Sequence, residues 1–247
     1  MDKSNKKRRR ILWITMPILA VVLATVIFCV IYVNDYYRAD EGALASLNST
    51  AEVTVDIYDD AIYFTPKNDT GKGIIFYPGG KVELSAYAPL AMSLAEKGIL
   101  CVLVKMPCNL AVLGINSADK ILSQTDTREW YMAGHSLGGA MASSYIADNH
   151  ELFEGLILLG AYANDDISHT ALDVISIYGE YDGVMDREKY NSSLSLLPSD
   201  AKEHVIIGGN HAYFGSYGEQ EGDGAATISP EEQIMVTASL IYGFILA

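Results

Sequence analysis

The sequence is short of cysteine and of positive charge, and each shortage narrows the possible functions. Three of the 247 residues are cysteine, namely Cys29, Cys101 and Cys108. An odd number does not make a disulfide framework, so buried free thiols are the favoured interpretation. Lysine and arginine number 17 against 31 acidic residues, which gives a net charge of −14. This balance argues against nucleic acid as a partner, because phosphate binding needs a surplus of basic side chains.

The chain also lacks internal repeats, low-complexity tracts and a recognisable metal-binding pattern. The acidic run Glu219, Glu221 and Asp223 does not have the D-x-D-x-D-G spacing of a calcium loop. A solvated loop is therefore its favoured interpretation. We expect no metal ion and no organic cofactor.

The densest cluster of basic residues lies directly ahead of a long apolar run. Six of them precede position 11, and residues 11–33 contain no charged side chain. At about 1.5 Å per residue, a helix over this run crosses a hydrocarbon core of roughly 30 Å. The positive-inside rule keeps a basic tail, residues 1–10, in the cytoplasm. The chain that follows the transmembrane anchor, residues 11–33, is then expected outside the cell membrane.

A cleaved signal peptide is the alternative to an uncleaved signal anchor. The apolar core of such a peptide normally measures about 7–15 residues, which is much shorter than this run. The nearby A-x-A cleavage pattern, Ala43-Leu44-Ala45, begins ten residues after the run and follows several charges. The sequence therefore favours a single-pass anchor that stays in place.

The rest of the chain predicts a polar stalk, residues 34–50, and one α/β domain, residues 51–247. Two short strands around Asp59 and Asp60 predict a first hairpin. Continuous apolar runs then alternate with helical segments, which is typical of a mostly parallel sheet with helices on both faces. These runs are GIIFYP (73–78), ILCVLV (99–104), WYMAG (130–134), GLILLG (155–160), VISIYG (174–179) and HVIIGG (204–209).

One motif carries the chemistry. The segment Gly134-His135-Ser136-Leu137-Gly138 has the pattern G-x-S-x-G, between a predicted strand and a predicted helix. A serine hydroxyl is a weak nucleophile that must be activated and presented, and a sharp strand-to-helix turn presents it above the sheet. We therefore predict Ser136 as a nucleophile and the Leu137 N–H as a donor to an oxyanion.

The general base is expected downstream of the serine. Four histidines follow, and His211 lies in the loop GGNHAYFG after the last predicted strand. Catalytic groups gather at the carboxyl ends of strands in open α/β sheets, so His211 is the predicted base. The other three are His150, His169 and His204.

The acid is expected at the same edge of the sheet. Asp182 follows the strand VISIYG directly and is the predicted acid, which would hold the imidazole in the required tautomer. Asp186 lies four residues later and is more typical of a helix cap. Asp165 and Asp166 are the remaining candidates, although solvated loop charges explain both more simply.

A second oxyanion donor is expected from the loop Pro78-Gly79-Gly80-Lys81, after GIIFYP. Glycines there let bare N–H groups face a substrate. Gly80 is the predicted donor and Lys81 the next candidate, and a plain turn is the alternative.

With these residues in place, the chain resembles the α/β-hydrolase superfamily over residues 50–247. The resemblance rests on YPGGK, GHSLGGA, YGEYDG and GGNHAYFG, in that order. It points to the small, lid-less branch related to dienelactone hydrolases and simple lipases or esterases. It implies an α/β-hydrolase fold with Ser136 as nucleophile, Asp182 as acid and His211 as base. It also implies Leu137 and Gly80 as oxyanion donors.

The sequence thus predicts a membrane-anchored serine hydrolase that cleaves a carboxylester or thioester of a small-molecule acyl substrate. A peptidase or an acyltransferase would use the same triad, because the motif specifies neither the leaving group nor the acceptor. A non-catalytic binding module on the same fold is the alternative from another class. A decayed enzyme would typically have lost a triad member, and all three residue types are present in order.

Overall fold

A computed structural model describes residues 3–125 and 128–247, and the side chains of residues 13–125 and 128–247. The chain divides into two compact units, Met1–Tyr36 and Tyr37–Ala247. The basic side chains of the predicted cytoplasmic tail lie outside the described residues.

The first unit contains one long helix, α1 (Lys3–Asn34), with Pro17 inside it. Its segment Trp13–Asn34 has a mean hydropathy of 2.8. Within the described residues, this is the one helix that is long and apolar enough to cross a membrane. A signal sequence near the N-terminus meets the same criteria of length and composition.

The second unit is built on an eight-stranded sheet with the strand order β1-β2-β4-β3-β5-β6-β7-β8. The pairs β1–β2 and β2–β4 are antiparallel and the other five are parallel, which confirms the predicted mostly parallel sheet and its first hairpin. The strands are β1 (Val53–Ile57), β2 (Ala61–Pro66), β3 (Lys72–Tyr77), β4 (Leu100–Val104), β5 (Glu129–His135), β6 (Gly155–Leu159), β7 (Asp173–Gly179) and β8 (Lys202–Ile206).

Helices cover both faces of this sheet because alternate strand residues point to opposite sides. Ile74 and Phe76 belong to one apolar core, while Ile75 and Tyr77 belong to the other. Helices α3 (Ala88–Ala95) and α7 (Pro230–Ile245) pack into the first core. Helices α4 (Ala118–Gln124) and α5 (Leu137–Asn149) pack into the second. A shorter helix, α6 (Arg187–Ser193), packs through Tyr190 against β7.

The last strand ends earlier than its apolar run predicts. The sequence places it over residues 204–209, whereas β8 ends at Ile206 and Ile207 is 73% exposed. Gly208 has a φ of 78°, a left-handed conformation that breaks the strand, and the Gly209 N–H closes the turn on the carbonyl of Ile206.

The cysteines only partly follow the prediction of buried thiols. Cys101 is buried in β4, where burial raises the pKa of its thiol. Cys108 and Cys29 are exposed. Cys108 lies in an irregular turn after β4 with a φ of 56°, and Cys29 lies on the apolar helix α1.

The segment predicted as a polar stalk, residues 34–50, differs in the structure. From Tyr37 onward it belongs to the second unit, and a short helix, α2 (Glu41–Ala45), begins after the N-cap residue Asp40. Ala43 is fully buried, and Tyr37 and Leu47 pack against the first core. These apolar side chains pack the segment onto the domain.

Candidate active site

Ser136 lies at a strained turn between β5 and α5. Its backbone has φ 51° and ψ −123°, a region that costs a non-glycine residue about 1–3 kcal/mol. The Ser136 N–H donates to the carbonyl of Leu159 on the neighbouring strand at 2.9 Å. Its own carbonyl accepts from the Ala140 N–H at 3.1 Å, inside the first turn of α5. The sheet and the helix together therefore hold this turn in its unfavourable conformation.

The glycines of the motif are required by close approach. A Cβ at Gly138 would lie 2.2 Å from the carbonyl oxygen of Tyr77 on β3. A Cβ at Gly134 would lie 2.5 Å from the carbonyl carbon of Gly138. Since real Cβ atoms do not approach backbone atoms this closely, only glycine lets the helix begin so near the strands.

The structure brings Asp182 and His211 together in a buried pair. His211 Nδ1 lies 2.9 Å from Asp182 Oδ2, and the two side chains are 1% and 0% exposed. The other carboxylate oxygen, Oδ1, accepts hydrogen bonds from the N–H groups of Val184 and Met185. A carboxylate can only accept, so Nδ1 carries a proton, and in the neutral imidazole Nε2 has a free lone pair. Nε2 is buried and has no hydrogen-bond partner among the residues that the structure describes.

A second carboxylate, Asp223, joins the loops that carry this pair. Its Oδ1 accepts from the N–H groups of Gly183 at 3.1 Å and His211 at 3.2 Å. Its Oδ2 accepts from the Ala212 N–H at 2.8 Å. Sequence reasoning assigned Asp223 to a solvated loop, because nothing in a local pattern of acidic residues indicates that its oxygens bond to backbone.

The loop after β3 lies against the start of α5. A Cβ at Gly80 would lie 3.0 Å from the Leu137 Cδ2, so the two predicted oxyanion donors are neighbours. The Lys81 N–H already donates to the carbonyl of Asn109 at 2.8 Å. Of the two candidates, Gly80 therefore fits better than Lys81. As the first residue of α5, Leu137 has an N–H with no partner inside the helix.

A buried chain of hydrogen bonds, missed at the sequence level, connects this loop to the histidine. The Gly79 N–H donates to Tyr87 Oη at 2.9 Å, and Tyr87 Oη lies 2.8 Å from His135 Nδ1. His135 Nε2 lies 3.1 Å from the carbonyl oxygen of His211, which can only accept. Nε2 therefore carries the proton and Nδ1 accepts from the tyrosine. Tyr87 and His135 are both fully buried, and burial together with nearby His211 holds the pKa of His135 well below its usual value.

This neutral histidine predicts a specific pH dependence of stability. The unfolded chain binds a proton at His135 near pH 6.5, whereas the folded chain does not, so the stabilisation is full above that pH and is lost below it. We expect the free energy of unfolding to fall by up to about 1.4 kcal/mol per pH unit from this group. The measurement is urea unfolding at pH 7.5, 6.5 and 5.5.

The control for this prediction is His135→Gln, which keeps an N–H near the carbonyl of His211 but does not titrate. The variant is expected to lose less stability on acidification than the unaltered protein. Equal slopes for the two proteins would contradict the assignment of the loss to His135.

The remaining sequence candidates lie elsewhere. Asp186 caps α6 through the N–H groups of Glu188 and Lys189, as predicted. Asp166 accepts hydrogen bonds from Ser168 on the surface, which lower the pKa of its carboxyl. His204 is an exposed residue of β8.

A comparison of the sequence with models of known families agrees with this architecture. Residues 73–235, a span that contains Ser136, Asp182 and His211, match the sequence model of the alpha/beta hydrolase family. The chain belongs to this family. A search of curated proteins found no match.

Several solved structures are similar to this alpha/beta hydrolase, at low sequence identity. A predicted CIB-like hydrolase from Thermoplasma acidophilum is 12% identical, with a TM-score of 0.58 over 77% of this chain and 98% of that chain. Dienelactone hydrolase from Anabaena variabilis is 14% identical, with a TM-score of 0.58 over 79% and 98%. Est1E from Butyrivibrio proteoclasticus is 14% identical, with a TM-score of 0.56 over 80% and 100%. At such identities the likeness shows the fold.

Proposed function

We propose that this alpha/beta hydrolase is a serine hydrolase that cleaves a carboxylester or thioester of a small-molecule substrate. The observation that carries the proposal is the buried Asp182–His211 pair, whose Nε2 has a free lone pair and no described partner. Ser136, held at a strained turn, supplies the nucleophile in this proposal. Burying an imidazole beside a carboxylate with one ring nitrogen unused is costly unless that nitrogen has a role in binding or proton transfer.

In the proposed reaction, His211 takes up and returns protons through Nε2 while Nδ1 stays bonded to Asp182. Ser136 Oγ attacks the substrate carbonyl carbon while His211 Nε2 takes the hydroxyl proton. The N–H groups of Leu137 and Gly80 stabilise the oxyanion of the tetrahedral intermediate. When the bond to the leaving group breaks, the imidazolium returns the proton to the departing alcohol or thiol. Water, deprotonated by the same nitrogen, then cleaves the acyl-enzyme and regenerates Ser136.

We also propose that α1 anchors the catalytic domain outside the cell membrane. The apolar segment Trp13–Asn34 and the basic residues that precede it support this arrangement. It places the hydrolysis of small acyl substrates on the outer side of the membrane.

The test is labelling with a fluorophosphonate that carries biotin and does not cross membranes. Ser136 Oγ should displace fluoride from the phosphorus and remain covalently modified, as shown by mass spectrometry of its peptide. We expect labelling of the protein in intact cells and none of the variant Ser136→Ala, which keeps the fold but lacks the nucleophile.

Two other outcomes would overturn parts of the proposal. Labelling only after the cells are opened would reject the outside location while keeping the mechanism. A folded protein that is not labelled under either condition would reject the nucleophile, and a non-catalytic binding module would then be favoured.

A further inference from the structure

Residues 37–47, which we call the docking segment, lie against the loop that carries the proposed oxyanion donor. The Tyr37 N–H donates to the carbonyl of Lys81 at 2.8 Å, and the Glu83 N–H donates to the carbonyl of Tyr37 at 2.9 Å. The Glu83 carboxylate in turn accepts from the Ala39 N–H at 3.1 Å. Because Lys81 directly follows Gly80, this pairing fixes the backbone next to the proposed donor.

The docking segment also holds the loop that follows the proposed base. The Asp40 N–H donates to the carbonyl of Ser216, and the Ser216 hydroxyl bonds to both carboxylate oxygens of Asp40 at 2.8 and 2.9 Å. Ser216 is only 8% exposed whereas Asp40 is exposed, so this contact lies at the surface edge of the domain. Further along the loop, the Glu221 N–H donates to Tyr37 Oη at 3.2 Å.

The two loops that the docking segment contacts adjoin different proposed catalytic groups. The loop over residues 212–223 begins directly after His211 and ends at Asp223, which bonds to the N–H groups of His211 and Gly183. The docking segment contacts this loop at Ser216 and Glu221, between those two ends. One stretch of chain therefore joins the proposed oxyanion donor to the proposed acid–base pair.

We propose that the docking segment is a positioning element of the active site, with Asp40 as its central positioning residue. The Asp40 carboxylate serves two partners at once, because Oδ1 also accepts the Ala43 N–H and so caps α2. This inference rests on the proposed function, in which Gly80 and His211 must act on one substrate. A small displacement between such groups lowers the rate of the chemical step more than it lowers substrate binding.

The experiment compares Asp40→Ala with Asp40→Asn in the full-length protein in detergent. Alanine removes the carboxylate and so breaks its bonds to both partners. The asparagine oxygen still accepts from the Ala43 N–H and the Ser216 hydroxyl. The matched control is Ser229→Ala, which removes the cap of α7 on the Glu232 N–H and touches neither loop. Hydrolysis of p-nitrophenyl acetate is measured per active site, with sites counted by fluorophosphonate labelling.

We expect Asp40→Ala to lower kcat about tenfold or more with little change in KM, since the misplaced groups act in the transition state. Asp40→Asn should stay within about threefold of the unaltered protein and Ser229→Ala within about twofold. Alanine at either position should lower Tm by a few degrees. If Asp40→Ala lowers Tm but leaves kcat per site unchanged, the docking segment only stabilises the fold and the inference is wrong.

A second readout does not depend on activity. Hydrogen exchange of the same proteins is expected to become about tenfold faster in residues 79–87 and 211–223 of Asp40→Ala, and to stay unchanged within α5. Unchanged exchange in both loops would reject the coupling even in an active enzyme. If the unaltered protein hydrolyses no ester while these loops exchange faster in the variant, the proposed function fails and the coupling stands.

Discussion

Replacing Asp182 by asparagine is expected to lower kcat/KM for ester hydrolysis by about 10⁴-fold while the protein stays folded. An asparagine oxygen can keep the two hydrogen bonds from Val184 and Met185 that Asp182 Oδ1 accepts. The amide NH₂ group then replaces the oxygen that faces His211 Nδ1. Because the NH₂ group only donates, Nδ1 must accept, and the proton of the imidazole moves to Nε2. The protonated Nε2 can then no longer accept the proton of Ser136.

The measurement is steady-state hydrolysis of an activated ester, with unfolding followed in parallel. The control is His204→Ala, which changes an exposed histidine of β8 and should leave the rate within about twofold. An Asp182→Asn variant with full activity would show that another group holds His211.

Replacing Gly160 by alanine is expected to lower kcat/KM by about a hundredfold or more through crowding of the same pair. A Cβ there would lie 2.9 Å from His211 Nδ1 and 3.1 Å from Asp182 Oδ2. The added methyl group must therefore push the imidazole away from the carboxylate. Gly160 also has a φ of 49°, so alanine adds roughly 1–2 kcal/mol of backbone strain.

A matched variant separates crowding from strain. Gly71 has a φ of 79° with no atom within 4 Å of an added Cβ, so Gly71→Ala brings a similar strain without a contact. We expect this variant to lose stability but to keep its rate, as measured by urea unfolding and ester hydrolysis. Equal loss of activity in both variants would show that backbone strain, and not the pair, explains the effect.

Local patterns in the sequence predict most of the elements that position the site. Continuous apolar runs predict the buried strands because both faces of the sheet are covered. The turn at Ser136 is predictable since close approach imposes glycine at fixed positions beside it, as Gly134 and Gly138 show. The order of serine, aspartate and histidine then points to Asp182 and His211, which the structure places 2.9 Å apart.

Contacts between distant parts of the chain leave no such local signature. Tyr87 and His135 are 48 residues apart, and each sits in an apolar stretch that gives no sign of a hydrogen bond. In the sequence Asp223 resembles any acidic loop residue, and only the structure shows its hydrogen bonds to backbone N–H groups. The docking segment falls within residues 34–50, which the sequence predicts as a polar stalk, although Ala43 is fully buried in the structure.

The bond between Asp40 and Ser216 also has a consequence for biosynthesis. The two residues are 176 positions apart in the chain. At a synthesis rate of about 5–20 residues per second, roughly 10 to 35 seconds separate their appearance at the ribosome. An early segment must therefore wait for almost the whole chain before it can close on its partner. A nascent chain truncated before residue 216 cannot form this contact, so its docking segment is left with the bonds to Lys81 and Glu83.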